Sequence, residues 1–404
     1  MSARRVAVTG IGVISAIGLD RESFWGTLAA GRSGIGKIEG VNLEQLRFRN
    51  GAMVRGYDAL AHFDPKANDL LDRFAQFGVV AAREAVVDAG LEWTGERRRR
   101  TAVITGCCVG GQATEDIGFT ELYLEKRTRV NPFTIPRIMA NAGASQISME
   151  LGVTGPVYTI STACASANHA IGQAFWMVRE GTVEVAITGG SEAIFSFGFL
   201  KAWEAMRVVA PDTCRPFSRD RKGLILGEGG AMLVLEPLDA ARARGAKVYG
   251  EIAGFGMSSD ARHITQPSVE GPASAMRSAI ADAGIALEEV GYINAHGTGT
   301  ITNDVTETRA IREVFGGYAD GLLVSSTKSM HGHALGAAGA LEAAATLLAL
   351  ERGVIPPTAN YTERDPQCDL DVVPNEAREK QVESALSNAF AFGGLNAVLA
   401  FRRG

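Results

Sequence analysis

The chain has 404 residues, 46% of them hydrophobic and 21% charged, with a formal net charge of -5. This length can bury one large core or two domain-sized halves. The acidic balance argues against a nucleic-acid partner, because nucleic-acid-binding proteins usually present a basic face. The four arginines at 97–100 are a local exception, which we interpret as a solvated loop.

The cysteines and the first residues indicate the cellular compartment of the protein. Five cysteines, including the adjacent Cys107 and Cys108, have the spacing of neither a disulfide framework nor a metal site. The stretch MSARRVAVTGIGVIS lacks both the sustained apolar region of a signal peptide and the length of a membrane span. We therefore expect a cytoplasmic protein without a metal or a membrane partner.

Short apolar runs and amphipathic stretches alternate along the chain. RRVAVTG, TAVITG, VEVAITGG and AMLVLEPL predict buried strands. ANDLLDRFAQFGVVAAREAVVDAG has apolar residues at three- and four-residue spacing and ends at glycine, so it predicts a helix. This alternation is typical of an α/β protein with helices on both faces of its sheets.

The same rhythm begins again after DAARARGAKVYG. GEIAGFGMSSDA is followed by a predicted helix from about Pro272 to Ala283 and by the strand-like VGYINAHG. Two halves of similar pattern indicate an internal duplication, with one domain at 1–247 and a second at 248–404. No long polar linker separates the halves, so we expect them to form one compact unit.

VYTISTACASANHAIGQAFWMV has the pattern of a strand that turns sharply into a helix, with Cys164 at the turn. At a helix N-terminus, unpaired amides and the helix dipole favour thiolate over thiol. A cysteine among alanines is, taken alone, more often a small buried hydrophobe.

Two later motifs strengthen the interpretation of Cys164 as a nucleophile. NAHGTGT and STKSMHGHALGAAGALE each place histidine in a glycine-rich loop after a strand-like run, and the second motif adds Lys328. Such loops expose backbone amides and allow a ligand to come close.

From GIGVISAIG near the start to SNAFAFGGLNAVL near the end, these motifs resemble the β-ketoacyl-acyl-carrier-protein synthases. These are the condensing enzymes of fatty-acid and polyketide assembly. The resemblance covers essentially the whole chain. It implies the thiolase fold, in which two βαβαβαββ-like halves related by a pseudo-twofold axis form a five-layered α/β/α/β/α unit, and it implies a dimer.

The resemblance also implies a role for each site residue. Cys164 accepts the acyl chain as a thioester. His296 and His333 act as neutral donors that stabilise the enolate left when a malonyl-type extender loses carbon dioxide. Lys328 organises the histidines electrostatically, and the amides of Cys164 and Phe392 form the oxyanion hole.

The family pattern K-S-x-x-G-H selects His333 over His331, which lies in the same MHGHALG segment. The remaining histidines, His62, His169 and His263, lack a comparable setting, and we interpret them as structural.

The resemblance further implies binding residues. Thr298 and Thr300 match threonines that hydrogen-bond the pantetheine arm. Candidates for the acyl pocket are Val109, Ile135, Ile138, Phe199 and Phe392. Oxygen-bearing side chains that would hold either a structural monovalent cation or a hydrogen-bond network are Asn294, Glu342, Ser387 and Asn388. No other cofactor is expected, because acyl groups arrive on the phosphopantetheine of an acyl carrier protein.

Three segments depart from the family pattern. AFGGLN replaces G-F-G-G-T-N, so Ala391 should stiffen the gate at Phe392, and RPFS replaces R-P-[FW]-D, with Ser218 in the last position. The helix that docks the carrier protein with several lysines offers Lys66, Arg73, Asp69 and Asp72 here. That less basic face indicates a specialised carrier protein or a partner subunit that shares recognition.

Three other functions fit the sequence less well. A thiolase would need a second catalytic cysteine near the C-terminus, and a hydrolase would not need two histidines. A chain-length-factor-like subunit would lack Cys164, so this chain should be the catalytic subunit if such a partner exists. The sequence does not distinguish a homodimer from a heterodimer, or a fatty-acid pathway from a polyketide pathway. It also does not identify the primer, the extender or the chain length.

Overall fold

A computed structural model describes residues 4–404. Its β-strands are β1 Val6–Ser15, β2 Gly36–Lys37, β3 Asn50–Gly51, β4 Thr101–Gly106, β5 Val157–Ile160, β6 Val185–Glu192, β7 Gly229–Pro237, β8 Gly250–Ser259, β9 Val290–Asn294, β10 Leu323–Ser325, β11 Val354–Ile355, β12 Arg378–Glu379, β13 Ser384–Ala391 and β14 Leu395–Arg403.

The α-helices of the same residues are α1 Arg21–Ala29, α2 Pro65–Asp69, α3 Arg73–Ala89, α4 Gly95–Arg99, α5 Gln112–Tyr123, α6 Thr134–Ile138, α7 Ala142–Leu151, α8 Ser166–Arg179, α9 Phe197–Met206, α10 Leu238–Ala243, α11 Glu270–Ala283, α12 Ile301–Phe315, α13 Lys328–His331 and α14 Ala338–Arg352. Short 3₁₀ segments lie at Ala59–Ala61, Leu287–Glu289, Gly316–Gly321 and Leu335–Ala337.

The main sheet consists of two five-stranded sets with the same topology. In space the sets run β1-β7-β6-β4-β5 and β8-β14-β13-β9-β10, so each places its first, fifth, fourth, second and third strand side by side. The last three strands of each set are parallel, and the first two alternate in direction. β1 and β8 join the sets by a short antiparallel pairing. The repeat fits an internal duplication, while the domain limits at 247 and 248 stay a prediction.

Helices separate and flank the two sets. α8 and α14 pack against each other and contact strands of both sets, so they form a shared central layer. α3 and α7 cover the outer face of the first set, and α11 with α12 covers the outer face of the second. The resulting order is α/β/α/β/α, which confirms the predicted fold class.

The two central helices approach closely at Gly339 of α14. A Cβ atom built there would lie 2.1 Å from Asn168 Oδ1 of α8, a distance that no side chain tolerates. Asn168 in turn donates to the backbone oxygens of Ser387 and Ala397 in β13 and β14. The central layer is therefore fixed to the second set of strands by a buried amide.

Two local expectations were wrong. The single helix predicted around residues 67–90 is interrupted, because the Asp72 carboxylate accepts from the Phe74 amide and caps the start of α3. The arginines at 97–100 do not form a loop, since Thr94 caps the short helix α4 that contains most of them. Within residues 4–404 no helix has the length and apolar character needed to cross a membrane.

Candidate active site

Cys164 lies in a tight turn between β5 and α8, as the sequence pattern predicts. Ala163 adopts a left-handed backbone with φ of 49°. The Ser166 hydroxyl accepts from the Thr162 amide at 2.9 Å and donates to the Ala163 carbonyl at 2.6 Å, which closes the turn. The thiol therefore stands directly before the first turn of a 14-residue helix.

Burial dominates the electrostatics of this thiol. It raises the pKa of Cys164 to about 11, although the Lys328 charge and the amides of Phe392 and Cys164 act in the opposite direction. The expectation that the helix N-terminus favours thiolate is therefore outweighed in the free protein. The two amides that face the sulfur are the ones predicted to form the oxyanion hole.

His296 is held by backbone bonds to a buried carboxylate. Its amide donates to Glu307 Oε1 at 2.9 Å, and the Gly297 amide donates to Glu307 Oε2 at 2.7 Å. Gly297 has a φ of 37°, and a Cβ there would lie 2.5 Å from the Ser326 Cβ, so only glycine fits. This glycine lets the loop after β9 turn tightly beside the imidazole.

His333 follows α13 and is fixed through both its backbone and its ring. Its amide donates to the Ile225 carbonyl at 2.7 Å, and its Nδ1 accepts from the Leu335 amide at 3.1 Å. Because Nδ1 is an acceptor, the ring proton lies on Nε2. The His296 and His333 rings are nearly perpendicular, with centroids 5.5 Å apart.

Lys328 connects His296 to a buried acid. Its ammonium forms an ion pair with Glu342 and lies 3.4 Å from His296 Nδ1, to which it can donate. Burial first, and the Lys328 charge second, hold the pKa values of His296 and His333 well below 6.5. Both imidazoles are therefore neutral near pH 7, and in each Nε2 carries the proton.

His331 has a different environment from His333. Its Nδ1 lies 2.9 Å from the Gly332 carbonyl and its Nε2 lies 2.9 Å from the Thr327 hydroxyl, so both nitrogens are already engaged. Burial lowers its pKa to about 3. The ring does not line the cleft that contains Cys164, which supports the choice of His333.

The other three histidines separate into two groups. His62 stacks on Tyr57, and His169 Nδ1 lies 3.0 Å from the Thr162 hydroxyl, as structural residues do. His263 was expected to be structural too, but it lines the cleft from an exposed segment. His263 follows β8 by four residues, but the polar segment SSDARHITQ around it contains no glycine, so no local motif indicates a place in the cleft.

A single cleft brings the predicted chemistry together. Its walls include Cys164, His296, His333, Thr298, Thr300 and Phe392. The hydroxyls of Thr298 and Thr300 lie 2.9 Å apart, and Thr300 also caps α12. The residues predicted for pantetheine and for catalysis therefore share one space.

Of the predicted acyl-pocket residues, Phe392 lines this cleft, whereas the other four do not. Val109 and Phe199 pack in an apolar cluster that also contains Phe392. Ile135 and Ile138 lie on α6, where the Ile135 side chain is 63% exposed. An acyl pocket that uses these residues would need Phe392 to move and a second chain to cover α6.

Sequence reasoning missed the acids that position the histidine loop. Glu307 binds two of its amides, and Asp304 accepts from the Gly299 and Phe217 amides at 3.2 and 2.8 Å. Both carboxylates are fully buried on α12. The available signal was their position in the first turns of a helix directly after GTGT, since the three-residue spacing places both on one helix face.

The oxygen cluster that could hold a cation is only partly supported. Glu342 Oε2, Ser387 Oγ and Asn388 Oδ1 are buried without a hydrogen-bond partner, which suits a cation or a water molecule. However, Ser387 and Asn388 are consecutive in β13 and point to opposite faces, and Asn388 donates to Glu307. No group of three or more His, Cys, Asp or Glu side chains in residues 4–404 is arranged for a metal ion.

Two departures from the family pattern now have a structural explanation. Ala391 ends β13 opposite Leu395 with an ordinary φ, so the backbone in this state does not require glycine there, and the left-handed positions are Gly393 and Gly394. Ser218 donates to Asp220 at 2.7 Å, so a carboxylate two residues later partners the position where the family has aspartate.

The helix expected to dock the carrier protein presents fewer unpaired basic side chains than its sequence suggests. Arg73 forms an ion pair with Glu228 at 2.8 Å and lies over the Phe77 ring, so its charge is largely engaged. Lys66 on α2 is exposed. One free lysine therefore remains on this stretch.

Family models match most of the chain. Residues 3–241 match the Beta-ketoacyl synthase, N-terminal domain, and residues 249–362 match the Beta-ketoacyl synthase, C-terminal domain.

Curated relatives and solved structures agree with these matches. Nodulation protein E of Rhizobium sp. (strain N33) is 51% identical over 402 residues, covering 99% of each chain. The 3-oxoacyl-[acyl-carrier-protein] synthase 2 of Staphylococcus aureus (strain N315) is 40% identical over 407 residues, covering 99% of this chain and 98% of the relative. The ishigamide ketosynthase/chain length factor superposes with a TM-score of 0.95 at 38% identity over both whole chains. The AntDE:AntF complex, a type II PKS acyl-carrier protein with its ketosynthase bound to the hexaketide, gives 0.91 at 30% identity, also over both whole chains.

Proposed function

Because the chain belongs to the β-ketoacyl synthase family, the condensing acyltransferases of fatty-acid and type II polyketide synthesis, we propose that Cys164 carries the acyl chain while His296 and His333 act on the extender. The observation that supports this division is the shared cleft, which places the thiol and two neutral imidazoles against one another.

In the first half-reaction, Cys164 Sγ attacks the thioester carbonyl of an acyl-carrier protein. The C–S bond to pantetheine breaks, and the proton of the cysteine thiol ends on the departing pantetheine thiolate. The amides of Cys164 and Phe392 face the sulfur and stabilise the oxyanion formed on the way. Thr298 and Thr300 supply hydroxyls for the pantetheine amides.

In the second half-reaction, a malonyl-type extender loses carbon dioxide and leaves an enolate. Nε2–H groups of His296 and His333 donate to the enolate oxygen. Neutral rings suit this role, because a donor must keep its proton rather than transfer it. Lys328, paired with Glu342, keeps the His296 proton on Nε2 and its ring uncharged.

In the last step, the enolate carbon attacks the acyl-Cys164 carbonyl. A C–C bond forms, the cysteine C–S bond breaks, and the thiolate regains a proton from solvent. The product is a β-ketoacyl chain on the carrier protein.

The experiment separates the half-reactions. Cys164→Ala should remove the mass increase of the intact protein on incubation with acyl-carrier protein. Cys164→Gln, whose amide mimics an acylated cysteine, should still release carbon dioxide from malonyl-carrier protein at or above the wild-type rate. Acyl loading in Cys164→Ala, or background release in Cys164→Gln, would contradict the proposed roles.

The partners that fit this reaction are an acyl carrier protein and a second ketosynthase-like chain. Exposed apolar side chains gather on α5, α6 and the segment between them, including Ile117, Phe119, Tyr123, Leu124, Phe133 and Ile135. A ketosynthase-like subunit packed on this face would cover them and bring its own Ile135 and Ile138 counterparts to the acyl pocket. The same face serves a homodimer or a pairing with a chain-length subunit.

In this scheme, the cluster of oxygen-bearing side chains near Glu342 would have a structural role. A monovalent cation would be held by Glu342 and Ser387 oxygens, with Asn294 attached to the Glu342 carbonyl at 3.3 Å. Its charge would favour the ionised form of Glu342, whose pKa burial raises to about 7, without contacting substrate.

A further inference from the structure

One wall of the cleft is an aromatic pair that the proposed reaction does not yet use. Trp203 of α9 stacks on Phe392 with ring centroids 6.1 Å apart and an interplanar angle of 26°. Phe199, one turn earlier in α9, supports Trp203 edge-on at 6.3 Å. Trp203 is only 9% exposed, so this pair is a buried part of the wall.

The pair forms part of the boundary between the cleft and the apolar cluster behind it, together with Val208 and Leu224. Trp203, Phe392 and Cys164 line the cleft, whereas Val109 and Phe199 do not. Val109 and Phe199 nevertheless pack in the same cluster as Trp203 and Phe392. An acyl chain that extended from Cys164 toward Val109 past this pair would have to displace the stacked rings.

The backbone next to Phe392 is held from the other side. The Gly393 amide donates to the Ile264 carbonyl at 2.8 Å, and the Gly394 carbonyl accepts from the Asp260 amide at 2.9 Å. Both glycines have left-handed φ values, so the backbone can rearrange at this point. The backbone after Phe392 is thus tied to the segment containing Asp260 and Ile264, while the Phe392 ring stacks on Trp203.

We propose that Trp203 is a positioning residue that holds Phe392 closed, so that the Trp203–Phe392 stack selects acyl chains by length. The inference rests on the proposed function, because it assumes acyl loading on Cys164. A short acyl group fits beside the sulfur without moving the rings. A long chain must break the stack, which slows its loading relative to the short one.

The test compares loading rates of short and long acyl-carrier proteins by quenched flow and intact mass. Trp203→Leu removes the stacking surface and should speed long-chain loading by about two- to tenfold, the range expected for one aromatic pair. Short-chain loading should change less than about twofold. Trp203→Phe keeps a ring and should stay near the wild type.

Trp176→Leu is the matched control. Trp176 makes a similar aromatic contact, to Phe255 at 5.1 Å, but lies outside the cleft, and its loss should not alter the ratio of long- to short-chain loading.

The outcomes distinguish this inference from the proposed function. A wild type that loads no acyl chain contradicts the proposed function itself. A wild type that loads, together with a Trp203→Leu variant of unchanged chain-length ratio, overturns the role of Trp203. If Trp203→Leu does not fold, Trp203→Met provides the same comparison with more apolar volume. An unchanged ratio there has the same meaning.

Discussion

The two halves of the molecule share one topology but contribute opposite chemistry. In the first half, the loop after the third strand, β5, presents Cys164 at the start of the central helix α8. In the second half, the loop after the third strand, β10, presents Lys328 and His333 before the central helix α14. The loop after the second strand carries Cys108 and Val109 in one half and His296 in the other.

This difference shows that the fold determines where the functional residues lie, whereas the side chain at each position determines its chemical role. Equivalent strand ends meet around one pair of central helices, so a nucleophile from one half faces the donors from the other. The same burial then acts on both in opposite directions. It raises the pKa of the Cys164 thiol and lowers the pKa values of the histidines, so the thiol and both imidazoles are neutral before substrate arrives.

The strongest test of this comparison is to remove a hydrogen-bonding imidazole from the second half only. In the Cys164→Gln background, His333→Ala or His296→Ala should lower carbon dioxide release by about 10²- to 10⁴-fold, because each removes a donor to the developing enolate. Carbon dioxide release from malonyl-carrier protein measures this directly.

His331→Ala is the matched control for that experiment. It removes an equally buried imidazole two residues away whose nitrogens contact Gly332 and Thr327 and not the cleft. Release should fall less than about tenfold, with part of the loss reflecting stability. A larger loss in His331→Ala than in His333→Ala would mean that the wrong histidine has been assigned.

The pH dependence of each half provides a second test. With a pKa near 11 rather than 9, Cys164 should react with iodoacetamide about 100-fold more slowly at pH 8 than an ordinary thiol, and its rate should still rise above pH 9. The histidine pKa values lie well below 6.5, so their neutral forms persist as pH falls to that value. Decarboxylation should therefore stay level from pH 8 to 6.5, and a decline centred on 6.5 would contradict the lowered pKa.

The smallest expected effect is at Ala391, which precedes Phe392, the residue expected to act as a gate to Cys164. Because Ala391 has an ordinary strand backbone, Ala391→Gly relieves no strain and should change the acyl-loading rate less than about twofold. Substitution of Gly393 by alanine is the informative contrast, since its φ of 86° disfavours any side chain. Equal loading by both variants would show that the turn after Phe392 does not control access to Cys164.

Much of this arrangement could be predicted from local sequence. The strand–turn–helix at Cys164 and the glycine-rich loops at His296 and His333 have short-range signals, because turn residues and periodicity act within a few positions. The shared fold followed from the family resemblance.

The remainder depends on contacts between distant segments. Glu307 looks like a surface acid of an amphipathic helix until the fold places it under the His296 loop. Trp203 looks like an ordinary core aromatic until Phe392, almost 190 residues later, stacks on it. The break at Asp72 was missed because apolar periodicity continues through a capping residue whose hydrogen bond only the structure reveals.

The contact between Gly339 and Asn168 has a consequence for how such enzymes diverge. Cys164 lies one helical turn before Asn168, and His333 precedes Gly339 by six residues, so the spacing of the central helices sets the separation of the reacting groups. Surface loops can lengthen, and the substrate pocket can be reshaped, without disturbing that separation. Descendants of one duplicated ancestor could therefore exchange substrates and partner subunits while the bond-forming geometry was inherited unchanged.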